Sequence, residues 1–233
     1  MNPHTYRLIA LTVLMAASRA MAQNYFDVMT MECNERGGTA KYKATVDFPV
    51  GGGDAVMKNA KEWIAEMLEA DDDMVEKMAA NSSADMFSKQ LETVGKDFVA
   101  SNPATNRTVE ITWLYEDPSC VSYEAVTTDR DSVVWTTTDV ACFSKLDGHR
   151  VQPEEIFQCD EEQIKKLMWK YRGDLEMEVA RPADLYVGSC AFIDGWVIVI
   201  GPARNTSGAE YRLRYPEVEQ WLVPSRTDGY LAK

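Results

Sequence analysis

The spacing of hydrophobic and polar residues predicts a strand pair followed by helices in the first hundred residues. Tyr25 to Cys33 and Thr39 to Phe48 alternate apolar and polar positions, which predicts an opening β-hairpin. Apolar residues then recur at helical spacing from Val56 to Leu68 and again from Phe87 to Phe98. Each of the two stretches therefore predicts an amphipathic helix with one buried face.

From Thr108 onward the apolar spacing changes from the helical period to the alternation of strands. Three alternating segments, 109–113, 121–125 and 134–143, are separated by short connections, and this predicts an antiparallel meander. A capping sequence, Asp160 to Gln163, then predicts the start of another helix.

The last part of the chain predicts a second hairpin and a terminal helix. Apolar runs at 185–193 and 196–201 flank Asp194-Gly195, a pair typical of tight turns between strands. Pro216 suits the first turn of a helix that reaches Leu222.

Together these elements predict an α+β fold, with a small N-terminal strand-helix unit followed by an antiparallel sheet with helices packed on one face. We expect residues 23–105 to form the N-terminal α+β unit and residues 106–224 the C-terminal antiparallel α+β domain. Residues 225–233 are expected to be a tail.

The first 22 residues predict export. Arg7 precedes an apolar run from Leu8 to Ala17, and Ala20-Met21-Ala22 is the small-x-small pattern of a signal-peptidase site. The run is too short for a bilayer, so we expect a cleaved signal peptide at 1–22, a periplasmic or secreted product, and no membrane span after cleavage.

Charge narrows the range of partners. Cleavage would leave 22 Lys and Arg against 37 Asp and Glu, a formal charge of −15. Binders of nucleic acid or anionic membranes need clustered basic residues, so neither is expected as a partner. A basic protein or a cation is the favoured electrostatic partner, and solubility alone is the simpler explanation of the charge.

Export also permits disulfides, and all five cysteines survive cleavage. Cys120 and Cys142 flank residue 131 symmetrically, so a hairpin centred there would place their sulfurs opposite each other and predicts a bridge. Cys159 with Cys190 is a weaker second pair, which leaves Cys33 free. Buried reduced thiols are the alternative.

Few residues are suited to catalysis. The mature chain would keep one histidine, His149, which excludes zinc sites built from several histidines, and the usual hydrolase motifs are absent. We therefore predict no catalytic, cofactor-binding or metal-binding residues and no cofactor, and lean against an enzyme. A glycan-hydrolysing pair of carboxylates stays open, because its two acids can come from distant segments.

Surface recognition is the remaining possibility. Trp135 falls on the polar face of its predicted strand with Asp139, and Asp129, Arg130 and Asp131 form the turn before that strand. These five residues are the predicted recognition surface.

A family resemblance appears from Val140 onward. It is carried by strand and helix order and by these short sequences: Asp147-Gly148, Pro153-Glu154-Glu155-Ile156-Phe157, Ile193-Asp194-Gly195-Trp196-Val197-Ile198-Val199, Gly208, Tyr215-Pro216-Glu217-Val218 and Trp221-Leu222. This region resembles an extracytoplasmic domain of unknown function found in lysozyme-sensing bacterial anti-sigma factors and beside the catalytic domain of some peptidoglycan deacetylases. Tyr42 to Met67 resembles the smaller α+β unit that precedes that domain.

The chain departs from that family in the hairpin, where members usually carry Gly-Gly-x-His and this sequence has Asp129 to Val133. The resemblance implies an exported, non-enzymatic binding or sensing module for the cell envelope. Its expected partner is a basic, lysozyme-like extracytoplasmic protein or a cell-wall component such as peptidoglycan. The alternatives are an envelope glycan hydrolase that uses two carboxylates and a structural envelope protein.

Overall fold

The computed structural model describes residues 25–80, 83–177, 179–204 and 206–223. The predicted signal peptide, 1–22, and the predicted tail, 225–233, lie outside these residues. The strands are β1 (Asp27–Gly37), β2 (Ala40–Gly51), β3 (Asn106–Glu116), β4 (Cys120–Arg130), β5 (Val134–Ser144), β6 (Cys190–Ile193), β7 (Trp196–Ala203) and β8 (Thr206–Arg214). The helices are α1 (Asp54–Met67), α2 (Asp72–Ala80), α3 (Ala84–Ser101), α4 (Pro153–Ile156), α5 (Glu161–Lys170) and α6 (Tyr215–Val218).

The strands form one mixed sheet in the order β1-β2-β3-β4-β5-β8-β7-β6. The α+β prediction is confirmed. The expectation of an antiparallel sheet is only partly correct, because β2 pairs with β3 in parallel and β5 pairs with β8 in parallel. Helices α1 to α3 connect β2 to its parallel neighbour β3, whereas the connection from β5 to β8 contains α4 and α5 and then the antiparallel strands β6 and β7.

The predicted domain division stays a prediction. Its boundary at residue 105 falls between α3 and β3, while backbone hydrogen bonding continues from β2 to β3 along six residue pairs, Lys41 to Val46 with Asn106 to Ile111. Among the described helices, none combines the length and apolar character that a membrane crossing requires.

The apolar stripes lie where the helical spacing predicts. Val56, Ala60, Trp63 and Ile64 are the buried face of α1, and Phe87 and Leu91 are buried in α3. At α5, the Asp160 carboxylate accepts the backbone N–H of Gln163 at 2.8 Å and so caps the helix as expected.

Away from its turn, at 120–125 and 140–144, the β4–β5 hairpin is buried on both faces, and its alternating residues there enter two different cores. Tyr123 and Phe143 pack with the first core, against Trp63 of α1 at ring-centroid distances of 6.2 and 6.3 Å. Cys120, Val140 and Cys142 belong to the second core. Because successive strand side chains point to opposite faces, this hairpin separates the two cores.

The C-terminal strands lie against the second face of the hairpin. The backbone N–H of Phe192 in β6 donates to the hydroxyl of Ser122 in β4 at 3.2 Å, and Ser122 is fully buried. Helix α5 contributes Ile164, Leu167 and Met168 to the same core. The sheet therefore curls so that β6 covers strands far from it in the pairing order.

The expected cysteine register is wrong. The hairpin pairs Arg130 with Val134, so Cys120 lies opposite Ser144, and Cys142 lies opposite Ser122. The turn is centred one residue later than Asp131, and this moves the pairing by two positions.

The described structure contains neither predicted bridge, because all five cysteines are free thiols. Cys120 and Cys142 remain diagonal neighbours whose side chains hydrogen-bond, and this contact, with burial, raises the pKa of Cys120. Burial likewise raises the pKa of Cys190. Such thiols form little thiolate at neutral pH and exchange slowly with disulfides.

Gly148 and Gly195 offer a matched test of this packing. Both have positive φ, of 82° and 78°, but a Cβ on Gly148 would lie 2.5 Å from the carbonyl carbon of Ala55, whereas nothing lies within 4 Å of one on Gly195. We expect Gly195→Ala to lower the free energy of unfolding by about 1–2 kcal/mol. Gly148→Ala should lower it by about 3 kcal/mol or more, because backbone must also move.

Urea unfolding of the two variants measures the difference. Equal losses would show that α1 and the loop after β5 are not packed as closely as described.

Candidate functional site

A cleft of about 1120 Å³ opens at the end of the sheet where β3 and β5 finish. The β3–β4 connection contributes Glu116 to Ser119, and the segment after β5 contributes Ser144 to Leu146. Glu154 and Glu155, at the start of α4, form another wall. The remaining lining residues are Tyr25, Phe26, Gly52, Gly53, Val56 and Val223.

The lining of this cleft is acidic. It carries four carboxylates, those of Glu116, Asp117, Glu154 and Glu155, and one ammonium, that of Lys145. Lys145 is ion-paired to Glu116, and both side chains are largely buried. The cleft therefore keeps an excess of negative charge in a chain that is itself strongly acidic.

Three of the four carboxylates hold the walls in place. Glu116 accepts the N–H of Phe26 at 3.1 Å, and Asp117 accepts the N–H groups of Ser119 and Cys120 at 2.6 and 2.8 Å. Glu155 accepts the N–H of Gln152 at 2.8 Å in a capping box. Within the described residues, Glu154 alone among the four has no hydrogen bond or ion pair to the protein.

His149 lies beside the cleft between two acids. Its Nδ1 is 2.5 Å from Asp147 and its Nε2 is 2.8 Å from Glu155. The hydrogen bonds to Asp147 and Glu155 raise the pKa of His149, and the ring is half exposed. The imidazole thus links the loop after β5 to α4, and neither ring nitrogen is left for a substrate.

The residues predicted for surface recognition do not form one site. Trp135 is 45% exposed, and Arg130 and Asp131 lie exposed in the adjoining turn. Asp129 is held by Arg107 through two hydrogen bonds of 2.7 Å.

Asp139 lies apart from the other four residues. It is partly buried, pairs with Arg150 at 3.0 Å and accepts a hydrogen bond from the hydroxyl of Ser189. Asp139 therefore joins segments of the fold, and a recognition role for all five residues stays a prediction.

Sequence reasoning missed a pair of glutamates inside the curled sheet. Glu124 of β4 hydrogen-bonds to Glu210 of β8, and Arg212 pairs with Glu210 at 2.7 Å. The Oε1 atom of Glu124 is buried, and no N–H or hydroxyl among the described residues donates to it. Two carboxyl groups this close share a proton, because both cannot ionise cheaply.

The two members of the pair titrate in opposite directions. Burial, and then the contact with Glu210, raises the pKa of Glu124 to about 8. Burial also acts to raise the pKa of Glu210, but the hydrogen bonds with Glu124 and Arg212 outweigh it and lower the pKa. Glu124 therefore holds the shared proton, and Glu210 carries the charge that Arg212 balances.

The described residues contain no group of three or more His, Cys, Asp or Glu side chains arranged to hold a metal ion. The glutamate pair supplies only two carboxyl groups, and an arginine occupies one of them.

Comparison with solved structures places this architecture among known folds. A DUF3298 family member from Bacteroides fragilis superposes with a TM-score of 0.58 at 11% identity, over 90% of this chain and 98% of that one. A DUF3298 family protein from Pseudomonas aeruginosa gives a TM-score of 0.51 at 9% identity, over 87% of this chain and 96% of that one. The chain shares the fold of these DUF3298 proteins.

At these identities the likeness concerns the fold alone. No protein-family model matches the sequence, and the comparison with curated proteins gives no significant match. The expected domain of unknown function agrees with the DUF3298 likeness at this coarse level, and the link to lysozyme-sensing or deacetylase regions is not shown.

The glutamate pair predicts how stability depends on pH. Between the ordinary Glu pKa of 4.5 and the raised value of about 8, the folded state holds a proton that the unfolded state has lost. The free energy of unfolding should therefore decrease as pH rises through this window. In Glu124→Gln the amide can donate to Glu210 without titrating, so the decrease should be smaller.

Urea unfolding at about pH 5 and about pH 8 checks this. Glu32→Gln, which removes an exposed carboxylate on β1, should keep the wild-type dependence. A Glu124→Gln protein with the same pH dependence as the wild type would contradict the shared-proton arrangement.

Proposed function

We propose that the protein is an exported, non-enzymatic recognition module that binds a basic segment of a partner protein in the acidic cleft. The observation that carries this proposal is the charge of the cleft lining, which has four carboxylates and one lysine that is already paired. A cationic loop or side chain entering the cleft would meet negative charge on several walls. Electrostatic potentials of opposite sign on two binding surfaces raise association rates and favour correct partners.

The rim of the cleft supports a protein partner. Leu146 is 93% exposed and Tyr25 is 73% exposed, so apolar and aromatic contacts flank the acidic interior. Interfaces commonly combine an anchoring apolar or aromatic contact with surrounding charges. A partner surface that presents lysine or arginine beside apolar residues fits this combination.

Glu154 is the carboxylate best placed to meet such a partner. It is exposed, and its charge is not committed to a described protein contact. The other three acids then serve two purposes, since they hold the walls and contribute to the field. A lysozyme-like protein, the partner that the sequence resemblance implies, is the basic partner that we propose.

The same arrangement favours binding over glycan hydrolysis. A hydrolase of this kind needs two carboxyl groups that face the bond to be cleaved, one of them able to give a proton. In the described cleft Glu116, Asp117 and Glu155 are engaged by the protein's own donors. One uncommitted carboxylate, that of Glu154, does not make such a pair.

Binding to a purified lysozyme and to poly-lysine tests the proposal. We expect measurable affinity for both at low ionic strength that weakens as salt is added, because exposed charges are screened. Glu154→Gln should slow association with the lysozyme by about threefold at low salt. Glu76→Gln is the matched control, because Glu76 is an exposed acid on α2 that does not line the cleft.

Leu146→Ala gives an independent arm, since it removes an exposed side chain and leaves the charge unchanged. It should speed dissociation of the lysozyme complex without altering its salt dependence. Failure of both basic ligands to bind, or equal effects of Glu154→Gln and Glu76→Gln, would overturn the assignment of the cleft.

A further inference from the structure

A second surface lies at the opposite end of β5 from the cleft. Trp135 and Ser144 are separated by nine residues of this strand, about 30 Å at the usual rise. Trp135 is 45% exposed, and Tyr186, before β6, is 46% exposed. The two side chains, called here the aromatic patch, both hydrogen-bond to the same residue of β8.

That residue, Ser207, fixes both rings. The indole N–H of Trp135 donates to the Ser207 hydroxyl at 2.7 Å, and the phenol of Tyr186 donates to the Ser207 backbone carbonyl at 3.0 Å. Each hydrogen bond uses an atom in the plane of its ring, at the edge. Neither ring stacks on another aromatic ring or under a cation among the described residues.

This arrangement is organised before any ligand arrives. Two large side chains are held in one geometry, so little rotamer entropy is left to lose on binding. Their polar atoms are satisfied, and the exposed area that remains is mainly aromatic carbon. Exposed rings held in this way suit ligands that stack an apolar face on them.

The carboxylates beside the patch are paired with arginines. Asp129 lies directly opposite Trp135 across the hairpin and is bound by Arg107 through two 2.7 Å hydrogen bonds, while the same guanidinium also pairs with Glu69. Asp184, two residues before Tyr186, is paired with Arg181 at 2.9 and 3.0 Å. In a chain of net charge −13, the carboxylates of Asp129 and Asp184 beside the rings are thus each paired with an arginine.

Hydroxyl and carboxylate groups lie on the same face. Thr137 is exposed two positions along β5 from Trp135, and Thr127 is its cross-strand neighbour. Asp129 is partly exposed and can still accept hydrogen bonds through its remaining lone pairs. The patch therefore offers stacking surfaces together with a few hydrogen-bonding groups, the usual composition of a site for a small polar ligand.

We propose that the aromatic patch binds an uncharged glycan chain, with one sugar ring stacked on Trp135 and a neighbouring ring on Tyr186. A sugar has an apolar C–H face and a hydroxyl edge, which match the rings and the surrounding Thr and Asp groups. Because the carboxylates of Asp129 and Asp184 are already paired with arginines, the patch favours an uncharged ligand over the basic partner of the cleft. This inference uses different residues from the cleft and does not depend on it.

Calorimetric titration of the full protein with the hexamers of β-linked N-acetylglucosamine and of β-linked glucose tests the proposal. We expect binding of at least one hexamer, with little change on adding salt because no net charge is neutralised. Trp135→Ala should weaken it by about tenfold or more, and Trp135→Phe, which keeps a ring, by about threefold. Tyr186→Phe should weaken it modestly, since the ring stays but its bond to Ser207 is lost.

Trp196→Ala is the matched control. Trp196 is 37% exposed but starts β7 at its far end, away from Ser207, so its replacement should leave glycan affinity unchanged. Urea unfolding of each variant separates loss of the patch from loss of the fold.

Three results would overturn the proposal. The first is that neither hexamer binds, and the second is that Trp135→Ala and Trp196→Ala weaken binding equally. The third is that Trp135→Ala abolishes either self-association or lysozyme binding and leaves glycan titrations unchanged, which would assign the patch to a protein partner. The cleft proposal is tested separately, because Glu154→Gln leaves the patch intact.

Discussion

The burial of the β4–β5 hairpin on both faces is the constraint on which the rest of the structure depends. Tyr123 and Phe143 point to the helices of the first half, while Cys120 and Cys142 point to the strands of the second. If one face of the hairpin were polar and solvent-exposed, β6 to β8 would have no apolar surface to pack against. Because both faces are apolar, the C-terminal strands must curl back over the sheet, and the cleft and the aromatic patch lie at the two ends of this hairpin.

The same constraint explains the glutamate pair. Curling brings β8 near β4, so Glu124 and Glu210 meet although they are far apart in sequence. One acid is neutralised by a proton and the other by Arg212, which removes most of the cost of burying two carboxyl groups. Because β8 lies near β4 here and brings the two glutamates together, the free energy of unfolding depends on pH.

Local pattern was enough to predict most elements. The helical stripe from Val56 to Leu68, the cap at Asp160 and the turn at Asp194-Gly195 each depend on neighbouring residues, and the structure confirms all three. Strand β8 was missed because glycine and arginine interrupt its apolar alternation. The short α2 was missed because it buries only Met78 and so lacks an apolar stripe, although the acids in its first turn are typical of a helix start.

Long-range features could not be predicted in this way. The parallel pairings of β2 with β3 and of β5 with β8 depend on long connections, through helices in the first case and through helices and strands β6 and β7 in the second, and no residue near the paired strands encodes them. The observed hairpin register differs from the expected one by two positions, because the turn is centred one residue after Asp131. Cys120 therefore pairs with Ser144 and not with Cys142. The sequence contains the acids of the cleft, but it did not predict that the β3–β4 connection and the start of α4 bring them together.

Native-state hydrogen exchange tests the central claim most directly, because it measures the opening free energy of each strand. If residues 120–125 of β4 and 140–144 of β5 are buried on both faces, their amides should exchange only through global unfolding, while the exposed edge strand β1 opens more easily. Exchange of β4 and β5 at free energies well below global unfolding, with the two cores opening as separate units, would contradict this account.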